Sequence, residues 1–184
     1  MAAGSYPKEY VTSWHLRDGR EVVLRPIKPQ DEAAWLEMFQ KFSDEAIRYR
    51  FFEQLKDTPH EVRMRYCDID YDKEMAIVAE LTEEGRKKIL GVARLCMQSD
   101  KKTGEIAFIV ADPYQGLGLG TKMVDHVIEI CRRMGLESVY ATMLPDNVKA
   151  IKLAKKLGFI TTRLNDGTVK ATLHLGQSAP SGNG

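Results

Sequence analysis

The chain has few cysteines, almost no net charge and no long apolar run, and each scarcity argues against a class of protein. Its 184 residues include 3 cysteines, 27 Lys and Arg, and 26 Asp and Glu. Binding to nucleic acid or to a charged membrane surface is favoured by an excess of cations, so we expect neither partner. The longest apolar run, Ile106–Ala111, has the length of a buried strand and falls short of the roughly 20 residues of a membrane span.

The cysteines and histidines are too scattered to predict a disulfide framework or a metal site. Cys67, Cys96 and Cys131 form no C-x-x-C pair, and the four histidines do not cluster. Both kinds of site need several ligands close together, so we expect reduced, mostly buried thiols and no metal. The first residues contain no apolar stretch of the kind found in secretion signals. We therefore expect a cytoplasmic protein.

Hydrophobic periodicity and turn residues predict one α+β domain. Asp18-Gly19 lies between two alternating runs and indicates a β-hairpin over Tyr10–Ile27. Helices are predicted over Gln30–Lys41, from Ser43, and after Thr58 as the N-cap. The remaining predicted elements are the strands Glu74–Leu81, Lys88–Met97 and Glu105–Ala111, the helix Lys122–Met134, the strand Ser138–Leu144, the helix Asn147–Lys156 and the strand Val169–Leu175.

These elements predict a mixed, mostly antiparallel sheet flanked by helices. Consecutive strands with short links form antiparallel pairs, because a parallel connection needs a long crossover. No repeat or linker marks a second domain, so we expect one domain over residues 1–175. Residues 176–184 are small and polar, and we expect them to be a disordered tail.

The segment Ala111–Thr121 joins an apolar strand to an amphipathic helix and is rich in glycine. Gly116, Gly118 and Gly120 alternate there, so backbone N–H groups and a helix N-terminus can converge on an anion such as a phosphate. A Rossmann fingerprint requires Gly or Ala at Thr121, and a nucleotide P-loop requires Gly-Lys-Ser/Thr after the turn. Neither of these nucleotide-binding motifs is present.

The spacing Gln115-x-x-Gly118-x-Gly120 resembles the cofactor-loop signature of the GNAT superfamily of acyl-CoA-dependent N-acyltransferases. Asp146–Ala150 and Lys155–Phe159 resemble a second motif of that family. The resemblance implies acetyl-CoA as cosubstrate, with its pyrophosphate held by the loop. It also implies that the strands on either side of the acyl-CoA site splay apart.

Four further segments resemble bacterial protein lysine acetyltransferases of the Pat type, namely Leu24–Ile27, Arg50–Phe52, Ile69–Ala76 and Gly104–Phe108. The resemblance implies acetyl transfer to a lysine of a protein, with an acyl-CoA synthetase as one candidate acceptor. Two alternatives remain open, an N-acetyltransferase for small amines or polyamines and a non-catalytic acyl-CoA sensor. The sequence does not indicate an oligomeric state.

The same resemblance implies roles for individual residues. Glu105 is the expected general base, although an exposed glutamate at a strand end is the alternative interpretation. Backbone groups of one strand are expected to pair with the pantetheine arm, and the loop and next helix to hold the phosphates. The cofactor-binding residues expected are Phe108, Ile109, Val110, Gln115, Gly116, Leu117, Gly118, Leu119, Gly120, Thr121, Asn147 and Lys156. Asn147 as a helix cap alone and Lys156 as a solvated lysine are alternatives.

The sequence departs from many members of the superfamily at Ala154, where a tyrosine protonates the departing thiolate. Tyr114 and Tyr140 are available, but their positions relative to the sulfur are open, so the general acid is left unassigned. Two other features have two interpretations each. The acids between Asp68 and Glu74 form either the rim of a substrate groove or a solvated loop, and the segment from Arg48 to Phe52 forms either a substrate wall or core.

Overall fold

Eight strands form one sheet in the computed structural model, which describes residues 5–53 and 58–176. The strands are β1 (Thr12–His15), β2 (Glu21–Pro26), β3 (Glu74–Glu83), β4 (Arg86–Met97), β5 (Thr103–Val110), β6 (Ser138–Met143), β7 (Ile160–Arg163) and β8 (Val169–His174). The helices are α1 (Glu32–Phe39), α2 (Asp44–Phe51), α3 (His60–Cys67), α4 (Leu119–Arg133) and α5 (Val148–Lys156).

The strand order is β1-β2-β3-β4-β5-β6-β8-β7, and β5–β6 is the one parallel pair in the described sheet. The parallel connection runs through α4, as a crossover requires. The α+β class and the mixed, mostly antiparallel sheet are therefore confirmed. The predicted tail falls almost entirely in residues 177–184, which lie outside the described residues.

The sheet has an apolar cluster on each face, which explains the nearly continuous burial along β3 and β4. On one face α4 buries Met123, Val127 and Cys131 at the predicted helical spacing. On the other face α1 contributes Trp35 and Met38, and the Trp35 ring stacks on Tyr66 of α3 with centroids 5.2 Å apart. Helix α4 and the helices α1–α3 therefore lie on opposite sides of β5.

Most predicted ends differ from the structure by a few residues, and three differences have an identifiable local origin. Helix α4 begins at Leu119, three residues earlier than predicted, because Gly118 adopts φ +84° and ends the loop. Thr58 was predicted to cap α3, but Pro59 holds the cap position without a side-chain hydrogen bond. Thr58 is instead buried, and its carbonyl accepts a hydrogen bond from Arg63. Strand β7 was missed, although Asp166-Gly167 marks a hairpin turn as Asp18-Gly19 does.

None of the helices within 5–53 and 58–176 combines the length and apolar character that crossing a bilayer needs. In the same ranges, no three His, Cys, Asp or Glu side chains come together as a group that could hold a metal ion.

Candidate functional site

The strands β5 and β6 separate after three paired positions. Thr103, Gly104 and Glu105 pair with Ser138, Val139 and Tyr140, and the pairing then stops. Beyond Glu105, β5 remains bonded to β4 on its other edge through Val110. Backbone groups of the strand that point away from β4 are therefore left without a strand partner in the described sheet. Such an edge can hydrogen-bond an extended ligand.

A cavity of about 620 Å³ fills the space between the separated strands. Residues 106–110 of β5 and Ala141–Met143 of β6 line its two sides. Of the residues predicted to bind the cofactor, those lining the cavity are Phe108, Ile109, Val110, Gln115, Gly116, Gly118, Leu119, Gly120, Thr121 and Asn147. Leu117, Lys156 and Glu105 do not line it. The structure thus brings most of the predicted site together in one cleft.

The glycine loop closes one end of the cavity with backbone atoms. Gly116 and Gly118 have φ of +78° and +84°, a conformation that residues with a Cβ rarely adopt. A Cβ on Gly118 would lie 3.2 Å from the Trp14 ring, and one on Gly120 would lie 3.1 Å from the Phe108 ring. The loop leads into the N-terminus of α4, where unpaired N–H groups and the helix dipole favour an anion. The cradle therefore has the geometry and the field for a phosphate.

Side chains hold this loop against the rest of the domain. The Gln115 amide donates a hydrogen bond to the Val110 carbonyl over 3.1 Å, which ties the loop to the end of β5. The backbone N–H of Arg17, in the turn between β1 and β2, donates to the Leu117 carbonyl over 3.2 Å. Leu117 packs its side chain against the core, so its part in the site is limited to its backbone. The loop is consequently fixed from two sides.

Three cations surround the outer side of the loop. A recess of about 220 Å³ beside Gly118 and Thr121 is lined by Arg17, Lys122 and Lys156. Lys156 thus lies next to the predicted site but outside the main cavity. Arg17 lines both spaces, and the sequence analysis did not predict it. No local pattern marks Arg17, because the packing of the distant β1–β2 hairpin against the loop brings it there.

Glu105 lies at the point where the cleft begins. It is partly buried, and it is followed directly by Ile106, which lines the cavity. Its cross-strand neighbours are Cys96 on β4 and Tyr140 on β6. Burial, followed by the charge of Glu105, raises the pKa of Tyr140 above its ordinary value of 10.0. The phenol therefore stays protonated beside the carboxylate at neutral pH.

Helix α2 forms another part of the cavity wall. Ser43 caps this helix by accepting a hydrogen bond from the Ala46 N–H over 3.2 Å. Arg50 lines the cavity, and its Nε atom is buried without a hydrogen-bond partner in the described part of the chain. Burial, and then the positive charge of Arg94, lowers the pKa of the Arg50 guanidinium. The Arg48–Phe52 segment had two interpretations, a substrate wall or core, and the position of Arg50 fits the wall.

Helix α2 also contacts the loop before α5 across the cavity mouth. Arg48 forms an ion pair with Asp146 at 2.8 Å, and the Tyr49 hydroxyl donates to the Asp146 carbonyl over 3.2 Å. The next residue, Asn147, caps α5 by accepting a hydrogen bond from the Ala150 N–H over 3.2 Å. The ion pair is exposed, so its contribution to stability is small. Its position joins two cavity walls that are distant in sequence.

Other residues singled out from the sequence lie elsewhere. None of the acids Asp68, Asp70, Asp72 and Glu74 lines the cavity, and Asp70 and Glu74 form ion pairs with Lys73 and Arg94. The groove-rim interpretation of this cluster is therefore not supported. Tyr114 does not line the cavity, and the Arg20 guanidinium lies 5.3 Å from its ring centroid. Ala154 does line the cavity, which leaves no tyrosine at that position.

Comparisons with known proteins agree with this geometry. Residues 34–159 match the model of the acetyltransferase (GNAT) family. An acetyltransferase of Pseudomonas aeruginosa is 30% identical over 155 residues, which are 84% of this chain and 83% of that protein. The acetyltransferase Pat of Mycolicibacterium smegmatis is 28% identical over 155 residues, 84% of this chain and 46% of that protein. The GNAT domain of S. lividans PAT superposes with a TM-score of 0.84 and 26% identity, covering 92% of this chain and 99% of that domain. The predicted resemblance is confirmed.

Proposed function

The chain belongs to the GNAT family of acetyltransferases, and we propose that it acetylates lysine side chains of a protein with Glu105 as general base. Membership of the family makes it an acyl-CoA-dependent N-acetyltransferase. The lysine acceptor and the role of Glu105 go beyond membership of the family, and they are what we propose. The observation that carries the role of Glu105 is its position, a carboxylate on the last residue of β5 before the cleft opens.

The cavity fits the cosubstrate acetyl-CoA. The unpaired edge of β5 at Phe108, Ile109 and Val110 suits the amides of an extended pantetheine arm. The backbone of Gly116 to Thr121 and the start of α4 suit the pyrophosphate, and Gln115 holds that loop in place. Arg17, Lys122 and Lys156 add positive charge around the same phosphates. Asn147 faces the cavity while it caps α5, which suits a contact with the cofactor arm.

Amide formation needs a neutral amine, whereas a lysine is almost fully protonated at neutral pH. Glu105 accepts a proton from the lysine ammonium, and the neutral amine attacks the acetyl carbonyl carbon. Acetyl-CoA supplies the acetyl group as a thioester, and CoA leaves as a thiolate when the C–S bond breaks. The new amide nitrogen passes its second proton through water to the thiolate, which gives CoA as the thiol. Glu105 then releases the proton that it accepted to solvent.

The lysine acceptor is supported by the two relatives that carry the Pat name. The sequence similarity covers 84% of this chain for the Mycolicibacterium protein and the structural similarity covers 92% for the S. lividans domain. This chain spans about half the length of the Mycolicibacterium protein. The acceptor of the longer Mycolicibacterium protein is therefore not transferred to this chain. An acyl-CoA synthetase is the acceptor class to test first. Polyamine acetylation and acyl-CoA sensing without turnover are the alternatives.

The test combines acetyl-CoA with the protein and three sets of acceptors, namely an acyl-CoA synthetase, a lysate and a panel of small amines. Intact-mass and peptide mass spectrometry measure the acetyl groups added, and a thiol assay measures free CoA. We expect acetyl-lysine on proteins with an equal amount of CoA released. Acetylation confined to small amines would overturn the lysine proposal, and binding of acetyl-CoA without CoA release from any acceptor would favour the sensor.

A further inference from the structure

The cavity wall contains a positive charge that no described acidic group pairs with. Arg50 and Arg94 lie close enough for the charge of Arg94 to lower the pKa of Arg50. Arg94 is buried and has its own carboxylate, Glu74, at 2.6 Å. Within residues 5–53 and 58–176, no carboxylate lies within ion-pair distance of Arg50. Its guanidinium therefore adds net positive charge to this part of the cleft.

This charge lies at the acceptor end of the cavity. Strand alternation places Glu105 and Ile109 on the sheet face covered by α1–α3, the face that α2 and Arg50 pack against. The charge of Glu105 is felt at Arg50, where it opposes the lowering of the guanidinium pKa. Glu105 and Arg50 thus lie near one another on the side of the sheet opposite α4. Arg50 therefore lies within electrostatic reach of an amine that loses its proton to Glu105.

The acidic residues that line the same cavity do not neutralise Arg50. Glu45, Asp112 and Asp146 are exposed, and Asp146 already pairs with Arg48. Charges in contact with water are screened, whereas a desolvated charge acts strongly at short range. Arg50 would therefore repel a second ammonium on the acceptor chain more strongly than these acids would attract it.

We propose that Arg50 sets acceptor specificity by repelling acceptors that carry a second cation near the reacting amine. A lysine side chain brings only its reacting ammonium, at the end of an apolar chain, so no second cation on the side chain is repelled by Arg50. A polyamine has ammonium groups separated by short methylene chains and does not avoid this repulsion. Arg50 thereby favours peptidyl lysine over polyamines. This inference deepens the proposed function, on which it rests for the choice of Glu105 as the base.

The test compares two small amines with the same carbon chain, pentylamine and its α,ω-diamine cadaverine. We expect the wild type to have a kcat/KM for pentylamine about tenfold or more above that for cadaverine. Arg50→Met removes the charge and keeps the aliphatic length, and it should bring the two values close together. Arg50→Lys keeps the charge and should preserve the wild-type ratio. Arg65→Met, at an exposed position on α3, is the matched control and should also preserve it.

Several outcomes would overturn the inference. Equal use of the two amines by the wild type, or use of neither, contradicts it, as does an unchanged ratio in Arg50→Met. The dissociation constant for acetyl-CoA verifies that each variant retains its fold, and Arg50→Gln replaces Arg50→Met if the latter does not fold. A failure of the proposed function can be distinguished from a failure of this inference. If protein lysines stay unmodified while the amine ratio still depends on Arg50, the lysine proposal is wrong and the specificity role stands.

Discussion

Glu105 on β5 and Tyr140 on β6 are the last paired residues before the two strands separate. Because they face each other in a parallel pair, their side chains lie on the same face of the sheet. The carboxylate and the protonated phenol therefore stand together where the cleft opens. The pair marks the junction itself, because Ile106, the next residue of β5, has no partner on β6 in the described pairing.

Replacing Glu105 by Gln should remove the base and leave the fold intact. We expect kcat at neutral pH to fall about 100-fold or more, because general base catalysis contributes on that scale. The dissociation constant of acetyl-CoA, measured by calorimetry, should change little, since Glu105 does not line the cavity. Glu21→Gln, at an exposed position on β2, is the control. Full kcat in Glu105→Gln across the pH range would rule out Glu105 as the base.

Gly118→Ala should weaken the binding of acetyl-CoA. The residue has φ +84°, and the new Cβ would lie 3.2 Å from the Trp14 ring. The loop must then shift its N–H groups, so we expect a dissociation constant about tenfold larger. Gly85→Ala is a matched control, because Gly85 has φ +77° with open space around its Cβ position. It introduces the same backbone strain far from the cleft, and equal loss of binding in both variants would contradict a specific role for the loop.

Substitutions of Asn147 separate its two expected roles. Asn147→Ala removes the cap of α5, and we expect the free energy of unfolding to fall by about 1 kcal/mol. Asn147→Asp keeps an oxygen that can accept the Ala150 N–H and should restore that stability. It should still raise KM for acetyl-CoA, because the amide donor is lost and a negative charge is added beside the cofactor arm. Restoration of both stability and KM by Asp would indicate a cap alone.

The buried carboxylate Glu80 should make stability depend on pH. It pairs with Arg25 at 2.8 Å and Lys87 at 2.9 Å. Burial acts to raise the pKa of Glu80, but the hydrogen bonds from Lys87 and Arg25 outweigh it and lower the pKa below 4.5. A carboxylate with a lowered folded pKa stabilises the protein above its unfolded pKa, and this stabilisation is lost as pH falls through the folded value.

Urea unfolding between neutral pH and pH about 3 measures this effect. We expect the free energy of unfolding to fall as pH decreases, with a smaller fall in Glu80→Gln. At neutral pH, Glu80→Gln should be less stable by about 1–3 kcal/mol, because Arg25 loses one of its buried partners. Glu61→Gln, at an exposed position on α3, should keep the wild-type pH dependence. An identical pH dependence in Glu80→Gln would show that other groups cause it.

Much of the fold could be predicted because the signals are local. Asp18-Gly19 marks the first hairpin, and helical spacing marks α4, since each depends on neighbours within a few residues. The errors arose at helix starts, where several neighbouring residues can take the cap position. Thr58 reads as a helix cap, but its carbonyl is bound by Arg63 and its side chain is buried. The early start of α4 depends on how the loop turns at Gly118.

By itself the sequence determined the class of the sheet and the place of the glycine loop. These follow from turn residues, periodicity and spacing, which act over short stretches of chain, whereas the residues expected to hold an acyl-CoA were implied by the resemblance to the GNAT family. Only the tertiary structure decided where β5 and β6 part, that Arg17 joins the loop, and that Arg50 enters the cleft. Each depends on packing between segments far apart in sequence, where no local pattern records which surfaces meet.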